Sequence, residues 1–280
     1  MARRPGATAI QNASRSPRDG EGAERVEPEE GVKIAIAIPA LGSVPALFMY
    51  DMAKMMCFMG EATQSDENPI DGVFITLLAH TYIHSARQGL AEVALEQGAD
   101  YIMWFDADMR FPKDIIFRLL RHRKQMVGIN YSTRTMPPSF VAIKQCGWEP
   151  GDDGIRLETT EDSTGLEQVE AIGFGAVLMS TTVFDGLHNP RGPEGPWFWN
   201  KWLPDKQQSA GEDVVFCDYM NKAGVEVWVD HDLSKECSHI GNFEYRVQHA
   251  VDFVDEFVEL KSLPEEEQGK ALAITTVGSL

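Results

Sequence analysis

The run Tyr101-Ile102-Met103-Trp104-Phe105-Asp106-Ala107-Asp108 sets the first constraint on this chain. Five apolar residues read as a buried strand, and they stop abruptly at two carboxylates spaced i, i+2. Paired negative charge at the end of a core strand is costly unless something neutralises it. A hard divalent cation is a natural neutraliser, because Mg²⁺ or Mn²⁺ takes carboxylate oxygens and leaves positions open for phosphate oxygens. The carboxyl ends of strands are also where open α/β sheets hold their ligands. The competing reading is that Asp106 and Asp108 merely cap a turn ahead of Pro112.

The segments around this run alternate between strand and helix patterns. From Val32, Lys33 to Pro39 reads as a buried first strand, followed by a Met-rich helix from Leu47 to Met59 whose methionines suit core filling. Val73 to Leu78 is a second strand, and Tyr82 to Gln97 a helix ending at Gly98. Beyond the Asp pair, a helix from Pro112 to Arg123 precedes a strand from Met126 to Asn130. This alternation predicts a mostly parallel sheet sandwiched by helices. Further on, Phe140 to Lys144 reads as a short strand, Gly147 to Gly165 as a polar surface excursion and Val169 to Met179 as an apolar strand. Asn189 to Pro204 is a Pro/Gly/Trp loop, long enough without its own structure to suggest function. Asp213 to Ala223 is a helix and Val225 to Val229 a strand. The expected organisation is a disordered tail over 1–31, a folded domain over 32–241, and a C-terminal extension over 242–280 that is helical from Phe243 to Leu260 and polar after Pro264.

Charge and cysteine usage exclude several classes. With 43 Asp and Glu against 25 Lys and Arg, the net charge of −18 repels nucleic-acid phosphate and anionic membrane. Cys57, Cys146, Cys217 and Cys237 form no Cys-x-x-Cys pair, so neither a zinc knuckle nor a disulfide framework is expected. No apolar run has the length of a membrane span, and the first residues lack the apolar core of a signal peptide. A cytoplasmic, reducing compartment is the expectation.

Three further features accompany the Asp pair in order: Arg87 in the preceding helix, Gly211-Glu212-Asp213 opening a helix, and Ser238-His239-Ile240-Gly241 after the last strand. Together with the stretches FDADMRFP and GEDVVFCDYMNKAGVEVWVD, they resemble the GT-A glycosyltransferases over roughly Val32 to Gly241. The likeness is nearest to soluble, family-2-like members often found in bacteria and their phages. It implies an α/β GT-A fold, Rossmann-like, with a mostly parallel central sheet. It also implies metal-dependent transfer of a sugar from a nucleotide-diphosphate sugar, a UDP-sugar favoured, to an acceptor hydroxyl. By the same resemblance Asp106, Asp108 and His239 hold Mn²⁺ or Mg²⁺ against the diphosphate, Arg87 and Arg134 bind the diphosphate, and Glu212 and Asp213 lie near the acceptor. The acceptor is a glycan, small molecule, protein or modified DNA base, with no membrane partner. The Gln-x-x-Arg-Trp motif of processive polymer synthases is absent, which favours a single soluble transfer.

Each residue also has a plainer reading. His239 can be structural, and Arg87 can be a solvated charge on its helix. Ser209-Ala210-Gly211-Glu212 satisfies a capping box, with Ser209 as N-cap and Glu212 occupied by backbone, which leaves Asp213 the freer carboxylate. Trp197, Trp199 and Trp202 suit either a cluster that ties the loop down or a stacking platform. Two rival activities stay open. A haloacid-dehalogenase-like phosphatase also ends a strand in Asp-x-Asp, although it usually has Thr or Val where this chain has Arg110. A non-catalytic nucleotide-binding module would use the same pocket without turnover.

Overall fold

The computed structural model describes residues 31–62, 70–79, 81–135, 137–148, 154–185, 196–241 and 244–251. The expected N-terminal tail and most of the C-terminal extension lie outside them. Strand β1 (Val32–Ala40), helix α1 (Ala46–Ala62), strand β2 (Ile70–Ala79), helix α2 (Ile83–Glu96) and strand β3 (Tyr101–Phe105) come first. β1 is buried on both faces because a helix covers each. Ile34, Ile36 and Ile38 pack with Phe48, Met52 and Met55 of α1, while Ala35 and Ala37 pack with Leu90, Ala91 and Ala94 of α2. The small alanines on one side and the flexible methionines on the other let both helices sit close to the sheet.

The chain continues through β4 (Met109–Arg110), α3 (Ile115–Arg121), β5 (Met126–Gly128), β6 (Ile143–Gln145), β7 (Ile155–Arg156), β8 (Leu166–Val169), β9 (Ala176–Ser180) and α4 (Thr182–Asp185). A hairpin of β10 (Lys201–Leu203) and β11 (Gln208–Ala210) leads into α5 (Glu212–Lys222). Last come β12 (Val227–Asp230), α6 (His231–Glu236), β13 (Ser238–Ile240) and β14 (Glu244–Tyr245).

Seven strands form the central sheet in the order β2-β1-β3-β9-β5-β12-β8. β2, β1, β3, β5 and β12 run one way, and β9 and β8 run against them. The mostly parallel α/β sheet expected from the strand-helix alternation is therefore present. From β1 the chain steps outward to β2, then returns to place β3 on the other side of β1. That reversal opens a crevice at the carboxyl ends of β1 and β3. A second, small sheet of β14, β13 and β4 crosses this end, with His239 opposite Met109.

Three segments differ from their expected form. Val169 to Met179 is not one strand: β8 lies at the sheet edge and β9 between β3 and β5, and residues 170–175 carry the chain across. Gly173 and Gly175 make that crossing possible, since a methyl group on either would stand 2.6 or 2.7 Å from Tyr131. The Trp-rich loop is structured at its end by the β10–β11 hairpin, while its residues 189–195 lie outside the described set. After Gly241 the chain adds β14 to β13 before a helix starts at 247, and Val247 and Ala250 pack on Phe140.

Packing around β5 gives a stability test. A Cβ on Gly128 would lie 2.6 Å from the Ala176 carbonyl oxygen, whereas one on Gly72 would meet only the Lys33 side chain at 3.5 Å. Gly128→Ala should cost about 1–3 kcal/mol, a melting-temperature drop of several degrees for a chain this size. Gly72→Ala should be near neutral, and thermal denaturation of the two variants side by side decides it.

Candidate active site

A cleft of roughly 550 Å³ opens at the crevice between β1 and β3. Its walls are the end of β1 at Pro39 and Ala40, the turn from Leu41 through Pro45, Thr81 ahead of α2, and the first turn of α2 at Ile83 and Ala86. Its charged and titratable side chains are Asp106, Asp108, Arg134 and His239. Four of the sequence-derived site residues thus share one cavity.

The Asp pair sits on a tight turn between β3 and β4. The Asp106 N–H donates to the Gly175 carbonyl (3.1 Å), and the Met109 N–H donates back to the Asp106 carbonyl (3.2 Å). β4 is fixed from outside by Arg110, which pairs with the buried Asp51 of α1. Asp108 takes Arg134 Nη1 on Oδ2 at 2.8 Å and faces His239 Nε2 from Oδ1 at 3.3 Å. Burial alone would raise the Asp108 pKa, but the His239 hydrogen bond and the Arg134 charge outweigh it and hold the carboxyl below its usual range.

His239 is oriented by what its other nitrogen does. Nδ1 lies 3.0 Å from the Ser132 carbonyl oxygen, which can only accept, so Nδ1 carries the proton. Nε2 is then the nitrogen turned toward Asp108, the one through which this ring could ligate a cation. The edge of the ring meets Tyr131 at a centroid separation of 5.2 Å. Tyr131 escaped the sequence reading. It is buried beneath the site, its hydroxyl accepts the Gly175 N–H at 3.2 Å, and burial pushes its pKa well up. The Gly-Phe-Gly spacing at 173–175 was the signal that a large ring needs room there.

Gly211, not Ser209, caps α5, and no side chain hydrogen-bonds at that cap. The capping box expected from the sequence does not form, because Ser209 is extended in β11 opposite Trp202. Glu212, only 6% exposed, instead accepts Arg87 Nε on Oε1 at 2.9 Å. Asp213 Oδ1 accepts the Val214 N–H at 2.8 Å. A side chain at Gly211 would crowd that oxygen, since its Cβ would stand 2.7 Å away. Burial, reinforced by the Glu212 charge, pushes Asp213 up to about 6.

Arg87 is not a solvated charge, and it does not line the cleft. It is 2% exposed, lies 5.7 Å from the Trp104 ring and 5.1 Å from the Phe174 ring, and donates Nη2 to Asp106 Oδ1 at 2.9 Å. Burial, which would lower its pKa, is outweighed by Asp106, Glu212 and Asp213, so its charge is secured. The sequence held the clue: 87, 90, 91 and 94 follow helical spacing, and Leu90, Ala91 and Ala94 are core residues. Arg87 and Arg134 thus offset the charge of the Asp pair, a task expected from the sequence of a metal alone. Of the tryptophans, Trp197 packs on Phe184 and Trp199 on Tyr219, both at 4.8 Å, while Trp202 is 60% exposed on the hairpin.

Among the described residues no group of three or more His, Cys, Asp or Glu side chains is gathered to hold a metal ion. One carboxylate and one imidazole, Asp108 and His239, do face each other in the cleft, and this donor set suits a divalent cation whose remaining positions phosphate oxygens fill.

No protein-family model matches this sequence, and no curated protein sequence does. Among solved structures it is similar to A197 from STIV, at 14% identity and TM-score 0.46 over 75% of this chain and 86% of that one. It is similar to GalNAc-T7 with UDP, GalNAc and Mn²⁺, at 10% identity and TM-score 0.44, over 81% of this chain and 48% of that one. The catalytic domain of Drosophila β1,4-galactosyltransferase 7 in complex with xylobiose is 15% identical with TM-score 0.38, over 75% of this chain and 71% of that one. Likeness at this level assigns no activity, so the functional reading rests on the site.

The Asp213 carboxyl makes stability depend on pH. Its folded value of about 6 lies above the ordinary one, so the folded chain binds the proton more tightly than the unfolded chain. Ionising it costs stability progressively as pH rises from ~4 to ~6, and the penalty is complete above that window. Asp213→Asn should therefore gain about 1–3 kcal/mol over the parent near neutral pH and almost nothing below pH ~4. Urea unfolding of both proteins across this range checks the sign.

Proposed function

We propose that this chain is a GT-A-type glycosyltransferase that moves a sugar from a nucleotide-diphosphate sugar, a uridine diphosphate sugar by preference, to an acceptor hydroxyl. The observation that carries the reading is the meeting of Asp108, His239 and Arg134 in one cleft at the β1–β3 crevice. An acidic pair, Glu212 and Asp213, is tied to the same site through Arg87. In this reading the donor lies in the cleft with its diphosphate at the polar wall. Asp108 and His239 hold Mn²⁺ or Mg²⁺, which when bound offsets the charge of the departing diphosphate. Arg134, 49% exposed, offers a guanidinium to the phosphate oxygens. Pro39, Leu41, Val44 and Pro45 give the cleft an apolar side for the donor. Asp213, exchanging its proton near pH 6, is the group assigned to the acceptor hydroxyl.

Calorimetric titration with uridine diphosphate tests the donor side. Binding should require Mn²⁺ or Mg²⁺, and Asp108→Asn should weaken it about 10–100-fold without unfolding the chain, with His239→Ala acting in the same direction. Equal binding with and without metal, or phosphate release from a simple phosphoester with no dependence on a sugar nucleotide, would falsify the assignment. On the acceptor side, Asp213→Asn should keep the nucleotide affinity and lower turnover about 10²–10⁴-fold. A loss of nucleotide affinity instead would move Asp213 to the donor side.

A further inference from the structure

Asp106 and Glu212 come from distant parts of the chain, one ending β3 and the other opening α5. A single guanidinium joins them. Arg87 gives Nε to Glu212 Oε1 and Nη2 to Asp106 Oδ1, each at 2.9 Å. These nitrogens share one edge of the planar group, so their spacing is rigid and fixes the gap between the two carboxylates. Trp104 and Phe174 flank the guanidinium, and burial of α2 along the 87-90-91-94 stripe anchors its stem. Arg87 takes only one oxygen of each carboxylate. Among the described residues no protein group hydrogen-bonds its buried Nη1. The grip is split between two carboxylates, one lining the donor cleft and one beside Asp213.

We infer that Arg87 is a positioning residue, a rigid strut that holds the donor-side carboxylate Asp106 and the acceptor-side carboxylate Glu212 in fixed register. The inference rests on the transferase reading of the site. It assigns Arg87 no contact with the diphosphate, and it makes Asp106 the donor-side anchor of the strut rather than a member of the metal shell. A lysine keeps the charge but offers a point donor in place of the fork. With the strut loosened, the two halves of the site lose their mutual alignment while the donor wall of Asp108, Arg134 and His239 stays intact.

The test combines kinetics with a readout that needs no activity. In Arg87→Lys, kcat should fall about 10²-fold, the scale of a 1 Å misplacement. The donor KM and the Kd for uridine diphosphate with Mn²⁺ should stay within about threefold of the parent. Adding Glu212→Gln to Arg87→Lys should cost little more, because the two act as one unit. A Kd that rises together with the fall in kcat means direct diphosphate contact and overturns the strut, as does full additivity of the two changes. Should the parent protein turn over no sugar nucleotide, the transferase reading fails on its own, and hydrogen exchange then judges the strut. Arg87→Lys must raise exchange around Asp106 and around the start of α5 together, and a rise at only one of them overturns the inference. If Arg87→Lys does not fold, Glu212→Asp replaces it, shortening the reach by one methylene at constant charge. It should lower kcat with nucleotide affinity kept, and a parental kcat with parental exchange at both segments sinks the idea.

Discussion

A cation with almost no water contact must be balanced by its immediate neighbours, and at this site that cation is Arg87. Removing one partner of such a buried group typically costs about 3–5 kcal/mol, because it leaves a charge uncompensated. The dependence runs both ways here. Glu212 and the partly buried Asp106 are held because Arg87 lies between them, and Arg87 tolerates its burial because both carboxylates accept its N–H groups. The apolar frame follows from the same need. Phe174 reaches Arg87 from a Gly-Phe-Gly crossing whose glycines leave room for Tyr131, and Tyr131 in turn supports the edge of His239.

The sheet topology explains why these groups meet. Because β9 runs against β3, its beginning rather than its end lies at the ligand edge, with Phe105 opposite Ala176. The residues just before β9 therefore flank the turn after β3, which is how the Gly175 carbonyl comes to accept the Asp106 N–H. A parallel strand in that place would bring its carboxyl end here instead, and the crossing with Phe174 would lie at the opposite edge of the sheet. The small sheet has a comparable role. Pairing of β13 with β4 fixes His239 over the Asp turn although the two are far apart in sequence.

Local features of the sequence carried the first half of the fold and the core of the cleft. The strand Tyr101–Phe105 was legible because five apolar residues end in charge, and the Asp pair marked the correct end of the sheet. What was hidden is non-local. Nothing within a window around Ser209 shows that a hairpin will hold it extended, so a capping box looked satisfied when its serine faced a strand partner. Likewise Val169 to Met179 has one apolar character, yet the chain spends its middle crossing the sheet. Arg87 was half-legible: its place in the buried stripe of α2 was visible, but the partner that makes burial tolerable lies 125 residues away.

The two arginines at the Asp pair divide its charge balance in a way that bears on the proposed reaction. Arg87 is enclosed, and a phosphate cannot compete for it without opening the core. Arg134 is half in solvent, and among the described residues its further contact beyond Asp108 is with the Ile240 carbonyl at 3.5 Å, a weak hold. In the proposed reaction an incoming diphosphate can draw Arg134 away from Asp108 and free Oδ2, while Oδ1 still faces His239. If the proposed transfer takes place, the departing diphosphate gains one negative charge, and the exposed Arg134 guanidinium is placed to follow it. Fixed charge then sets the distance between the two halves of the site, and mobile charge answers what develops at the donor. The short Asp-x-Asp motif serves both needs because its two carboxylates, one residue apart, face different arginines.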